Sequence, residues 1–227
     1  SYCNSQGNSV VDERIGRVQM GTIDNTSTGG TGYTDFTSMS TDALLGSSQT
    51  IIITPTWTGT VYPEAYAVFI DYNADYDFND AGETVYTRTA TTTTPITGIF
   101  TIPLTATPGP TRMRVSMRYN ALPTACLTFD YGQVEDYTIV ITSPNTLITA
   151  KLNIEGFYDT TTHTMRPVKY NQGMATNTTD VETIALELID PTTLTPVATT
   201  STILKTDGTA SATFNSSING LYYLTVK

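Results

Sequence analysis

Asp71, Asn73, Asp75 and Asp77 fall at alternate positions of the run DYNADYDFNDAGE, and Asp80 and Glu83 follow before it ends. Oxygen donors two residues apart in a tight turn all aim inward at one point, which is how a hard cation with about six to eight oxygen ligands is caged. Without a cation, the five carboxylates of this run repel one another at close range, and a divalent ion removes that repulsion. So many protein donors favour Ca2+ over Mg2+, which keeps more of its waters. The expectation is a Ca2+ site formed by Asp71, Asn73, Asp75, Asp77 and Glu83, against the alternative of a solvated acidic turn. The run departs from an EF-hand loop. Tyr76 stands at the sixth position, where glycine is usual, and the last acid falls one place late.

Other chemistry is sparse. Arg112, Arg114 and Arg118 share one face of an alternating segment. They form either a face for an anionic ligand such as an acidic glycan, with Trp57 as a further contact, or partners for carboxylates such as Glu135 and Asp136. Trp57, Tyr62 and Tyr33 are either an aromatic platform for sugar rings or part of the core and its rim. His163 is the sole histidine, so neither a Ser–His–Asp arrangement nor zinc catalysis has enough groups. Carboxylate pairs can hydrolyse glycosides, but here the acids concentrate in the cation loop. No enzymatic activity is expected.

The bulk numbers agree. A net charge of −10 and a pI near 4.3 argue against nucleic acid, which needs clustered Lys and Arg. No apolar run is long enough to span a membrane. Threonine is used far above ordinary frequency, which suits solvated strand faces and loops. Two cysteines, Cys3 and Cys126, in a Lys-poor chain favour one disulfide and an extracellular or outer-surface location, with two buried thiols as the alternative. The chain shows neither an initiator Met nor a signal peptide, and a mature or excised product is expected. Asn25–Thr26–Ser27, Asn177–Thr178–Thr179 and Asn215–Ser216–Ser217 match the N-glycosylation sequon.

The elements that position these groups are strands. Short alternating or wholly apolar runs recur between Gly, Pro, Asn and Thr punctuation, and helical periodicity is almost absent. Strands are expected at Arg14–Met20, Thr50–Thr54, Ala65–Ile70, Thr84–Arg88, Ile96–Ile102, Arg112–Tyr119 and Val134–Ile141. In Arg112–Tyr119, Met113, Val115, Met117 and Tyr119 face one way and the arginines the other. Ser143–Pro144–Asn145 reads as a linker. Beyond it, Ile184, Leu186 and Leu188 share a face, Asn219–Gly220 signals a turn, and Leu221–Lys227 reads as a strand. Asp207–Gly208 is expected to join Thr199–Leu204 to Thr209–Phe214 as a hairpin. The fold class is all-β, with two jelly-roll or Ig-like sandwiches in tandem at residues 1–143 and 146–227.

Taken together, DYNADYDFNDAGE, Thr111–Tyr119 (TRMRVSMRY), Cys126 and Tyr131–Tyr137 (YGQVEDY) resemble the GEVED domain of secreted Bacteroidota proteins. Tyr2–Cys3 with Gly7, Gly32–Thr37 (GYTDFT) and the turn around Trp57–Tyr62 fit the same family, so the resemblance spans about residues 1–142. It implies an appended β domain of large exported proteins (proteases, adhesins and other surface proteins), often cargo of the type IX secretion system. It also implies that Cys3 and Cys126 pair. Gln133 replaces the first Glu of the motif, and Tyr76 replaces the loop glycine. Ile154–Asp159, Thr164–Val168 and Asn171–Gly173 are similar to β domains found downstream in such proteins. There the sequence continues past the strand matching Leu221–Lys227, so a C-terminally truncated fragment is expected. The function expected is a non-catalytic, calcium-stabilised module of an adhesin, matrix or filament-forming protein that binds glycans, proteins or copies of itself. The alternative is an accessory segment of a secreted protease or glycoside hydrolase.

Overall fold

The structure is a computed structural model that describes residues 1–215 and 220–227. Ser216 and Ser217 of the third sequon, and Asn219 of the Asn219–Gly220 turn, lie outside the described residues. The regular structure among the described residues is nearly all strand, and the chain divides into two compact units, Ser1–Thr142 and Ser143–Lys227. No helix among the described residues is long and apolar enough to cross a membrane.

The first unit holds ten strands: β1 (Gln6–Ser9), β2 (Glu13–Met20), β3 (Ile23–Thr26), β4 (Tyr33–Leu44), β5 (Ser48–Trp57), β6 (Glu64–Ile70), β7 (Thr84–Thr91), β8 (Ile96–Thr101), β9 (Gly109–Tyr119) and β10 (Thr128–Thr142). One sheet runs β3-β2-β5-β8; the other runs β1-β10-β9-β6-β7, with β4 also pairing with β10. Their inner faces supply one core, with Ile15, Val18, Ile51 and Ile53 from the smaller sheet and Val68, Ile70, Met113, Val115, Met117 and Ile139 from the larger. This is sandwich packing, in which each strand gives alternate residues to the shared interior.

Central strand β6 is buried on both faces. Tyr66, Val68 and Ile70 enter the core, while Ala67 and Phe69 turn outward and are covered by Phe78, Ala125 and Tyr2. The outer face of the larger sheet is therefore a second packed surface, closed by the N-terminal segment, the acidic loop after β6 and the segment before β10. The Cys3–Cys126 disulfide joins two of these covering segments.

The main departure from the sequence reading is β4. Its run YTDFTSMSTDAL carries no apolar alternation, yet it pairs in parallel with Val134–Thr142 of β10. Parallel partners are remote in sequence by necessity, and the exposed hydroxyl side chains of β4 suit a sheet edge that meets water.

In the second unit the strands among the described residues are β11 (Asn145–Lys151), β12 (Tyr158–Asp159), β13 (Thr164–Met165), β14 (Asp180–Ile189), β15 (Pro196–Lys205), β16 (Thr209–Asn215) and β17 (Tyr223–Val226), with a 3-10 turn at Glu155–Phe157 and a short α-helix, α1 (Val168–Asn171). Val181, Ile184, Leu186, Leu188, Leu204 and Phe214 form its core. The Asp207–Gly208 turn does join β15 to β16, and Gly208 has φ +86°. The two strands are not a ladder-bonded hairpin, however. β15 pairs with β14 and β16 pairs with β11, and the Thr200 and Thr202 hydroxyls donate to the carbonyls of Thr213 and Ser211 across the gap.

Candidate metal centre

The acidic run connects β6 to β7, and its two ends are buried. Asp71 is 0% exposed and Glu83 is 1% exposed. Asp71 accepts the backbone N–H of Ala74 at 2.7 Å and of Tyr76 at 3.1 Å, and the Tyr2 hydroxyl at 2.6 Å. Glu83 accepts the N–H of Tyr72 at 2.8 Å and of Asp80 at 3.3 Å. Burial pushes the Glu83 carboxyl above its ordinary value, against the two N–H bonds, which hold it down. The Thr111 hydroxyl on β9 donates to the Asp71 carbonyl at 2.6 Å, which ties the loop to the neighbouring strand.

Between these anchors the loop advances by a repeated device. The side chains of Asn73, Asp75 and Asp77 each accept the backbone N–H two residues on. Such Asx turns set the spacing of the alternate donors. Tyr76 adopts φ +74° and Ala74 φ +61°, the left-handed region that favours glycine. The backbone demand at the sixth position is thus the usual one, met here by a tyrosine whose ring packs edge-on against Tyr2 at 5.7 Å.

One carboxylate oxygen each from Asp75, Asp77 and Asp80 lies within 4.8 Å of the others. No Lys or Arg pairs with any of the three among the described residues. Asn73 donates to Asp75 at 3.0 Å and to Asp80 at 2.7 Å, so its amide holds two of them together. The expected set of Asp71, Asn73, Asp75, Asp77 and Glu83 therefore divides into two parts. Asp71 and Glu83 pin the loop with bonds to backbone N–H groups, whereas Asp75 and Asp77 converge with Asp80, which the expected set omits. Spacing alone favoured the alternating residues, and the turn that returns Asp80 to the cluster was not visible in it. Three convergent carboxylates without a cationic partner form a donor set that fits a hard divalent cation.

The arginines of β9 take another role. Arg114 is 2% exposed and makes a bidentate pair with Asp136, which is 0% exposed, at 2.8 Å on both arms. Its remaining nitrogen donates to the carbonyls of Cys3 and Ala125, beside the disulfide. Arg112 reaches Asp136 at 3.3 Å and lies over the Tyr2 ring, while Arg118 lies over Phe129. Tyr33 also donates to Asp136. Trp57 is on the opposite sheet, as the register partner of Glu13, and so joins neither the arginines nor Tyr33. Asn25 of the first sequon is 6% exposed and donates to the Tyr137 hydroxyl, which removes it from an enzyme's reach.

Residues 132–136 alternate between the two packed faces. Gly132 has φ +119°, and a Cβ there would meet the Met117 carbonyl oxygen at 2.1 Å. Gln133 points into the sandwich, accepting the Ile15 N–H and donating to Thr31 and Thr34. A glutamate could only accept, so the amide suits this position. Glu135, 0% exposed, accepts the Tyr137 hydroxyl at 2.6 Å. Burial pushes its carboxyl up to about 7, against that hydrogen bond. Asp136 turns outward to the arginines. The segment knits the two sheets and the outer cover together and exposes no reactive group.

Residues 65–140 match the family model of the GEVED domain, from β6 through most of β10, a span that contains both the acidic loop and this segment. The first unit thus carries a GEVED domain. No curated protein matches the chain.

Proposed function

We propose that this chain, with its GEVED domain, is a calcium-stabilised, non-catalytic β module of an extracellular adhesin, matrix or filament-forming protein. The observation that carries the reading is the loop: buried Asp71 and Glu83 fix its ends, and Asp75, Asp77 and Asp80 converge between them with no cationic partner among the described residues. Asp75, Asp77 and Asp80, with the Asn73 carbonyl oxygen, would hold the ion. Its chemistry there is charge neutralisation. Because the ion binds only the folded loop, it adds about 2.7 kcal/mol of stability at a hundredfold excess over Kd.

The disulfide supports an oxidising compartment. Contacts with glycans, proteins or further copies would use the exposed strand faces. In the second unit β17 forms one edge of its sheet and exposes Tyr223, Leu224 and Val226, features suited to strand addition between copies.

Differential scanning calorimetry of the chain in 1 mM CaCl2 and in excess chelator tests the reading. A fall in Tm of several degrees on chelation is expected, reproduced in calcium by Asp75→Ala or Asp80→Ala. Coincident melting curves in calcium and chelator would reduce the loop to an acidic turn.

A further inference from the structure

A cavity of about 200 Å3 opens near the start of β6, at the other end of that strand from the acidic loop, and is lined by Asp12, Glu13, Tyr62, Tyr119 and Tyr131. The three tyrosines form walls. Tyr119 meets Tyr62 edge to face at 5.7 Å and Tyr131 at 6.3 Å, with planes close to perpendicular. Glu13 opens β2 and is 3% exposed.

Behind this wall stands Glu64, the first residue of β6. It is the register partner of Tyr119 and shares the inward face of β6 with Tyr66 and Val68. Glu64 is 0% exposed, and neither of its carboxylate oxygens has a hydrogen-bond partner among the described residues. Trp57, the register partner of Glu13, brings an indole N–H that offsets part of the charge but closes no hydrogen bond. Burial, and then the charge of Glu13, push the Glu64 carboxyl up to about 7.

Two glutamates are therefore buried together, and neither belongs to an ion pair among the described residues. A buried carboxylate without a partner is costly, and a cation that enters the cavity removes that cost. The walls select the kind of cation. Tyrosine faces attract weakly hydrated organic cations, whereas a bare divalent ion needs about six oxygen ligands that these rings do not offer. The cavity is also much larger than a single ion. We propose that this cavity binds an organic cation, an ammonium or guanidinium group on an alkyl stem, with Glu13 facing the charge, Glu64 adding its field from behind the wall, and Tyr62, Tyr119 and Tyr131 enclosing the stem.

The site does not depend on the metal loop, and the experiment is run in chelator to keep the two apart. Butylammonium, butylguanidinium and uncharged butanol are titrated into 15N-labelled chain and followed by NMR. A lysine-bearing peptide and its norleucine counterpart are titrated in parallel. Saturable shifts at Tyr119 and Tyr131 with the cations and none with butanol are expected. A Kd at least tenfold weaker is expected in Glu13→Gln and in Tyr131→Ala, whose half-exposed ring can be removed without opening the core. If the lysine peptide binds at least tenfold tighter than butylammonium while the norleucine peptide does not, the cation's source is a protein side chain. Equal affinities assign it to free amines. The proposal fails if neither cation gives saturable shifts, if butanol binds as well, or if both variants keep wild-type affinity.

Discussion

Replacing Asp136 by alanine should cost far more than its single position suggests. The carboxylate is fully buried and accepts both arms of Arg114 at 2.8 Å, the Tyr33 hydroxyl at 3.1 Å and Arg112 at 3.3 Å. Asp136→Ala leaves the buried Arg114 guanidinium with no carboxylate among the described residues, facing the carbonyls of Cys3 and Ala125, the Cys3 sulfur and the Phe78 ring. Removing one member of such a pair costs about 3–5 kcal/mol, because an uncompensated charge remains inside. In a unit of this size about 1 kcal/mol corresponds to roughly 3–5 °C, so the Tm of the first unit should fall by about 10–20 °C. Arg112 is partly exposed, and Arg112→Ala should cost at most about 1 kcal/mol. Arg114→Met combined with Asp136→Leu removes both charges, and should be less damaging than the sum of its two single changes by about 2 kcal/mol or more. Urea unfolding of the parent, Arg114→Met, Asp136→Leu and the double variant, with the disulfide oxidised throughout, gives the cycle, and Asp136→Ala and Arg112→Ala are measured beside it. If Asp136→Ala lies within about 1 kcal/mol of the parent, or the two single changes simply add, the pair is not the anchor described.

Two further outcomes are expected. Glu135 and Glu64 both have carboxyls raised to about 7 in the folded chain, so the folded state holds protons that the unfolded state releases above its ordinary value near 4.5. Their stabilising contribution is full below pH 4.5 and is lost as pH rises through 7, on the order of 3 kcal/mol each. Urea midpoints in chelator should therefore fall from pH 5 to pH 8, and Glu135→Gln should flatten the slope; a midpoint that rises over this range contradicts the burial described. Gly132→Ala should cost at least about 2 kcal/mol, since its Cβ would lie 2.1 Å from the Met117 carbonyl oxygen, whereas Gly109→Ala, also at positive φ but with open space around it, should cost only the backbone strain. Equal losses in the two variants, read by thermal melting, would remove the close approach as the cause.

Local chemistry made part of this protein legible in its sequence. Alternation in Arg112–Tyr119 assigns Met113, Val115 and Met117 to the core because successive strand residues must point to opposite faces, and the structure places all three there. The wholly apolar run in Ala65–Ile70 reads as a strand covered on both sides, and it is buried throughout. The acidic loop was visible for the same reason, since its donors are neighbours in the chain. What the sequence could not hold is the partner of each group. Arg112, Arg114 and Arg118 share a face, but only the register of β9 against β10 sets Asp136 opposite Arg114 and withdraws that arginine from solvent. β4 has no apolar pattern and is a strand only because β10 offers it an edge. Glu13, Tyr119 and Tyr131 lie on three strands, each unremarkable alone, and line one acidic, aromatic-walled cavity when the sheets close on each other. A side chain's direction is set within two residues of chain, whereas its environment is set by segments that can lie a hundred residues away.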